Sequence, residues 1–299
     1  MLNVCPSFAL IVSDDSYKSK GAIFMRQIVQ TWEHFFQTIT DTNSWWARKK
    51  ALFQKRRLKL IRIDAKGRVD RLYNSHQYSV YEYIFHVSFL LRDPLKKFYI
   101  EEMIVPYYVK QHHKKIIEHQ LIQPKNLKRP STVNDTILQL IPTQKRYERL
   151  AAVRYAERWW NSINPLFSKL NDHHASFILQ CLMSGFGQSM ISDDERIMQK
   201  AKGLLTPYSL RWYLSHPNNQ ATIQEVASVK ELKLGDIICY DFHGADKWEQ
   251  IAIVTGKDDA KMPLVHTCFE NRCHRYRYWS YEDSFLWSNK TTYKFFHIV

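Results

Sequence analysis

The sequence predicts an α+β protein, and two observations carry that prediction. In each half of the chain, segments with helical hydrophobic spacing come first and segments rich in Ile, Val, Tyr and Phe follow. That order packs helices on one face of an antiparallel sheet. Between the halves lies "IQPKNLKRPSTVNDTILQLIPT" (122–143), polar and carrying three prolines, which reads as a linker. The expected organisation is a small helix-plus-antiparallel-sheet domain over 25–121, a linker over 122–144 and a larger α+β domain over 145–299. Met25 opens a more natural helical start than Met1, so residues 1–24 read as a disordered extension.

The elements follow in order. Ile28, Trp32, Phe35, Phe36 and Ile39 recur at helical spacing within a helical region over 25–58, broken at "TDTNS". From residue 59 the period changes to that of strands: "KLIRIDA", "RVDRLYNS", "YEYIFHVSFLL" and "FYIEEMIVPYYV", with turns expected at Lys66-Gly67, Asn74-Ser75 and Asp93-Pro94. Tyr81, Tyr83, Phe85, Val87 and Phe89 share one face. Glu101 and Glu102, adjacent on a strand, point to opposite faces and so are no catalytic pair. "KQHHKKIIEH" reads as a basic strand end or turn, its paired His112 and His113 solvated. In the second half, "YERLAAVRYAERWWNSINP" gives a helix whose stripe is Leu150, Val153, Trp160 and the alanines, ended by Asn164-Pro165. A second helix covers 174–185, with Phe177, Ile178, Cys181 and Leu182 on one side and Gly185 near its end. Strands are expected in "GDIICYDF", "EQIAIVTG", "PLVHTCF" and "YKFFHIV".

Composition bounds the functional classes. The chain carries 43 Lys and Arg against 29 Asp and Glu, a net charge of +14, with 45% hydrophobic residues. It is therefore a folded, basic protein, able to meet an anionic polymer or surface. The densest basic stretch is "RKKALFQKRRLKLIR" (48–62), where Leu52, Phe53 and Leu58 also mark a core-facing side. Five scattered cysteines without a CxxC indicate neither a disulfide framework nor a zinc ribbon, which suits a reducing compartment. "MLNVCPSFALIV" lacks a basic n-region and a cleavage site, and no apolar run is long enough to span a bilayer. The expected location is cytoplasmic.

Four motifs, "YERLAAVRYAERWWNSINP", "SFILQCLMSG", "LGDIICYDF" and "IAIVTG", occur in that order. Together they resemble the putative amidase domain of Gram-positive bacteria, a family allied to papain-like cell-wall peptidases and amidases. The resemblance spans about 145–299, and "FYIEE" is similar to part of the extension that often precedes this domain. It implies a papain-like fold with a cysteine nucleophile at a helix amino terminus, where the helix dipole favours the thiolate. A histidine base on a strand and a third polar group complete such a site.

The family's helix begins Asp-Cys-Thr-Asn-Phe-Val-Ser-Gln-Cys-Leu. Aligned on Phe177, Gln180, Cys181 and Leu182, His173 falls under the Asp, His174 under the nucleophile and Ser176 under the Asn. The base strand, His-x-x-Ile-Val, puts Gln250 at the base, and "VHT" puts His266 at the third position. Two of three catalytic positions therefore hold residues unable to do the work. Cys181, two turns (~10 Å) down the same helix, reads as a small core residue. The expectation is a catalytically degenerate amidase-domain protein, a pseudoenzyme acting as a binding or regulatory module for a peptide or peptidoglycan-like ligand. His174, Gln250 and His266 would line the former active site, with His173, Ser176 and Trp248 as binding residues. Neither cofactor nor metal is called for: His173, His174, His266 and Cys268 are the best candidate ligands, but adjacent histidines on a helix diverge by about 100°. Two rivals stand beside this reading. One is an active amidase or peptidase whose nucleophile has moved to Ser176 or His174. The other is a nucleic-acid or anionic-surface binder using residues 48–62.

Overall fold

The structure is a computed structural model that describes residues 7–10, 18–38, 44–75, 77–113, 115–122, 146–167, 173–187, 205–219, 222–269, 272–284 and 286–299. The chain divides into one unit of Met1–Pro124 with Glu282–Phe285 and another of Lys125–Tyr281 with Leu286–Val299.

The first unit contains β1 (Ser7–Leu10), α1 (Lys18–Gln37), α2 (Trp45–Lys55), β2 (Lys59–Asn74), β3 (Tyr78–Arg92), β4 (Phe98–His112) and β5 (Lys115–Leu121). Strands β2 to β5 form an antiparallel meander, and β1 pairs in parallel with β2. One face of β3 supplies Tyr83, Phe85, Val87 and Phe89, all buried as the alternation requires. Against it pack Ile28, Trp32 and Phe36 of α1 and Trp46 and Phe53 of α2, with Trp32 stacked on Phe85 at 4.1 Å. Ser44 caps α2 by accepting the Ala47 N–H. The basic stretch thus begins as a core-facing helix: Trp46, Lys49, Leu52 and Phe53 are its buried residues, and the Lys49 ammonium is paired with the buried Glu101 carboxylate. Glu102 faces the other way, toward His86 and Ser88.

One expectation fails here. No turn interrupts β2 at Lys66-Gly67; Gly67 is buried and pairs directly with Phe85 between register shifts at Leu60/Arg62 and Val69/Arg71. The glycine sits within the strand rather than turning the chain. The strand end and turn expected in "KQHHKKIIEH" are found, β4 ending at His112 and the turn lying at His113, and the segment then continues as β5.

The second unit contains α3 (Arg149–Trp159), α4 (His173–Gly185), α5 (Pro207–Leu214), β6 (Ile223–Val226), β7 (Ile237–Asp241), β8 (Gln250–Lys257), β9 (Pro263–Phe269), β10 (Arg272–Tyr278) and β11 (Thr292–Ile298). Its strands pair antiparallel in the order β10-β9-β8-β7-β11-β6. Helices precede the sheet, as the α+β reading requires. Thr206 and Ser209 form a capping box at α5, with Pro207 in its first turn. Gly235, at φ +84°, makes the left-handed turn into β7 that a side chain would oppose. Residues Ala175 to Met183 of α4 are buried on every side, so this helix is a core element rather than an amphipathic one.

On α3 the expected stripe holds at Ala152, Ala156 and the following Trp160, all buried, but not at Leu150, which is 57% exposed; the small residues let α3 lie close to α4. Strand β10 was not anticipated, because "RCHRYRY" has polar composition in place of the usual strand signal. Its register sets Cys273 directly opposite Cys268, and the two are disulfide-bonded. This corrects the expectation that the cysteines form no disulfide: linear spacing does not reveal a pair that a hairpin brings together. Among the described residues no helix is long and apolar enough to cross a membrane.

Candidate functional site

Helix α4 starts at His173, so positions 173 and 174 occupy its first turn. Their side chains lie outside the described residues, and the expected contact of His174 with the sheet lies there too. The neighbouring helix is fixed at its start: Arg149 of α3 donates to the buried Asp236 carboxylate at 2.6 Å, which also holds His297 at 2.7 Å. This anchoring aims Tyr155 and Glu157 from α3.

Sheet pleating decides which candidates meet. Ile253 of β8 lies directly opposite His266 of β9, and Val254 opposite Val265. Counting along the strands, Gln250 shares a face with Val254 and Thr267, while His266 is on the opposite face with Ile253 and Thr255. The hydrogen bonds agree. Gln250 donates from Nε2 to Thr267 Oγ1 at 3.0 Å, and Thr267 in turn donates to the Ile251 carbonyl. Gln250 and His266 are therefore not brought together; Thr267 is the residue that meets Gln250.

His266 is fully buried. Its Nδ1 accepts the Tyr276 backbone N–H and lies 2.5 Å from the Thr255 hydroxyl, and its Nε2 lies 3.4 Å from Glu157 Oε1. A ring nitrogen that accepts a backbone N–H carries no proton, which assigns the proton to Nε2, facing Glu157. Burial lowers the His266 pKa, opposed by Glu157, so the imidazole is neutral. Burial alone would raise the Glu157 pKa; the His266 Nε2–H that faces it, then Tyr276 and the Arg275 guanidinium, outweigh it and hold Glu157 at about 2. Arg275 reaches the other Glu157 oxygen at 2.8 Å. It stands at a β-bulge where Tyr276 takes φ +53°. With its lone pair already accepting, His266 has no free site for a proton from a nucleophile. The group ties α3 to β9 and β10.

Trp248 is buried, with the Arg211 guanidinium of α5 5.1 Å from its ring. Ser176 is buried in α4 and lines a cleft of about 340 Å³, counting the part open to solvent. Trp159, Phe167 and Phe177 supply its aromatic walls; Asn164, Ser176 and Gln180 its polar lining; Cys268, within the disulfide, one edge. Trp248 is not among the lining residues. Cys181 and Cys239 are free thiols, both fully buried, and burial pushes both pKa values up. Among the described residues no three His, Cys, Asp or Glu side chains gather as metal ligands, and Cys268, one of the candidate ligands, is bonded to Cys273.

The sequence profile described as the putative amidase domain matches residues 146–297. The chain belongs to the putative amidase domain family. A curated relative, the uncharacterized protein YhbB of Bacillus subtilis (strain 168), is 30% identical over 272 residues, covering 84% of this chain and 85% of its own length. No solved structure matches. The matched span contains the ordered motifs that lie in α3, α4, β7 and β8.

Sequence reasoning missed Glu157, Thr255, Thr267 and the polar line through Tyr155. Glu157 offered a signal: an acidic residue one position after the inward Ala156, on a helix whose buried face is alanine. The threonines offered none, since a strand threonine looks the same whether it meets solvent or an imidazole.

Proposed function

We propose that the second unit is an amidase-family domain that has lost thiol catalysis and acts as a binding or regulatory module for a peptide or peptidoglycan-like ligand. The observation that carries the reading is the amide at the family's base position. Gln250 has no basic lone pair at neutral pH, and its Nε2 is already bonded to Thr267. Three further facts support it. Position 174, under the family's nucleophile, is histidine. Cys181 and Cys239 are sealed in the core as high-pKa thiols, and thiolate, not thiol, is the attacking species. His266, the one histidine retained among the family's three positions, is neutral and engaged by Thr255, Tyr276 and Glu157.

The test is hydrolysis of peptidoglycan fragments and N-acyl amino-acid amides by the full chain. No turnover above blank is expected from the natural sequence. Loss of one catalytic member commonly costs several orders of magnitude, so His174→Cys or Gln250→His alone should also be silent. Turnover by the natural protein that tracks its purified peak would contradict the reading.

A further inference from the structure

We propose that the β3–β4 hairpin tip of the first unit docks on an anionic lipid bilayer, with Leu95 and Phe98 entering the headgroup boundary and Lys96 and Lys97 meeting the lipid phosphates. This site lies in the first unit and is independent of the second unit's catalytic standing. Leu95 is 65% exposed, Phe98 58% and Ile100 42%. A single exposed apolar side chain is ordinary, but three within residues 95–100 mark a contact surface. Phe98 and Ile100 lie two apart on β4 and so share a face. The register sets Arg92 opposite Phe98 and Lys59 opposite Arg92, which places both cations in the same row as the ring. Lys96 and Lys97 follow Leu95 directly, and both are exposed. Asp93 is the one acidic residue of 92–100, and its carboxylate accepts the Lys97 N–H at 2.8 Å within the turn.

The tip is held ready for this contact. Pro94 fixes the backbone at the first corner of the turn. The Lys96 N–H donates to the Asp93 carbonyl at 3.0 Å, and the Asp93 N–H to the Lys97 carbonyl at 3.0 Å. Presenting Leu95 there requires no ordering of a loop. Behind the tip, Arg56 at the end of α2 donates to the Tyr99 hydroxyl at 2.9 Å, so Arg56 and the exposed Arg57 add charge at the same end of the sheet. An anionic bilayer answers both features. Its surface potential attracts each nearby Lys or Arg, and lysine stems lie along apolar surface with the ammonium in the headgroups. The apolar side chains leave water as they enter the acyl boundary. A nucleic acid would meet the cations but leave Leu95 and Ile100 in water, its bases stacking on Phe98 alone.

The experiment is co-sedimentation of the full chain with vesicles of phosphatidylcholine alone and of equal parts phosphatidylcholine and phosphatidylglycerol. Saturable binding is expected on the anionic vesicles, and at least about tenfold weaker binding on the neutral ones. Raising salt from about 0.1 M to about 1 M shortens the Debye length from about 10 Å to about 3 Å and should weaken the anionic binding at least about tenfold. Lys96→Gln should weaken it about fivefold, the scale of one cation near such a surface. Leu95→Ser combined with Phe98→Ser should weaken it at least about tenfold; both positions are more than half exposed, so the fold does not depend on them. Leu150→Ser and Arg146→Gln, exposed changes in the second unit, should bind as the natural protein does. No binding to anionic vesicles would overturn the proposal, as would equal binding by the Leu95→Ser, Phe98→Ser double variant or an equal loss in Leu150→Ser. Two measurements on the same samples identify another occupant, and either would also overturn it: capture of a single-stranded oligonucleotide, or dimerisation, that the double variant loses while vesicles stay unbound.

Discussion

His119 lies with its Nε2 2.7 Å from the Tyr83 hydroxyl, which accepts the Trp32 indole N–H, and burial lowers its pKa to about 4. The folded value is below the ordinary 6.5, so the unfolded chain takes up the proton first. The stability this neutral ring confers is full above 6.5 and is lost as pH falls toward 4, up to about 3 kcal/mol in total. Denaturant unfolding followed from pH 7 to 4.5 should show this slope in the natural protein and a shallower one in His119→Gln. Parallel slopes would contradict the assignment. Glu157 carries the opposite kind of group: its carboxylate form is held down to about 2, so its contribution is present above the ordinary carboxylate pKa and lost only as pH falls through the folded value. Glu157→Gln removes the Arg275 charge partner, so it should be less stable at pH 7 and lose less stability than the natural protein when denaturant unfolding is followed from pH 4.5 toward 2; equal losses would contradict the assignment. Neither pairing was legible in the sequence, since 30 to 120 residues of chain separate the partners.

At the scale of elements, α4 shows where local pattern suffices and where it stops. Its extent and its glycine end were legible from Phe177 to Gly185, because helical spacing and a terminal glycine are local signals. That Gly185 must be glycine was not. A Cβ there would run into the Tyr147 ring, while the Glu148 N–H donates to the Gly185 carbonyl at 2.7 Å and Tyr147 donates to the Gly235 carbonyl at 2.8 Å, so neither side can retreat. Gly185→Ala should cost about 1–3 kcal/mol by overpacking, read as a lower thermal midpoint of the second unit; an unchanged midpoint would show that Tyr147 moves freely. The strands β3, β7, β8 and β9 were equally legible from β-branched and aromatic runs. Strand β10 was hidden by arginines and histidine, and β2 was split in the reading by a glycine that in fact continues the strand. What no run of residues could give is the pleat: that Gln250 meets Thr267 and not His266 depends on the β8–β9 register.

At the scale of the whole molecule, the family was readable because its motifs keep their order over half the chain, and the profile match over 146–297 agrees with the reading. The positive charge was readable as a number but not as a site: its densest stretch runs through α2, whose Lys49 is buried against Glu101. The cleft that Ser176 lines has, in contrast, no charged residue among its described lining. The central claim is that this family member works without a thiol nucleophile. Its most direct test is alkylation of the native full chain with iodoacetamide, with modification mapped peptide by peptide and amide hydrolysis followed in the same sample. The account predicts that Cys181 and Cys239 stay unmodified until denaturant is added, and that no alkylation-sensitive hydrolysis is detected. Rapid native labelling of Cys181, with loss of a measurable hydrolytic activity in step, would contradict it and make this protein a working thiol amidase.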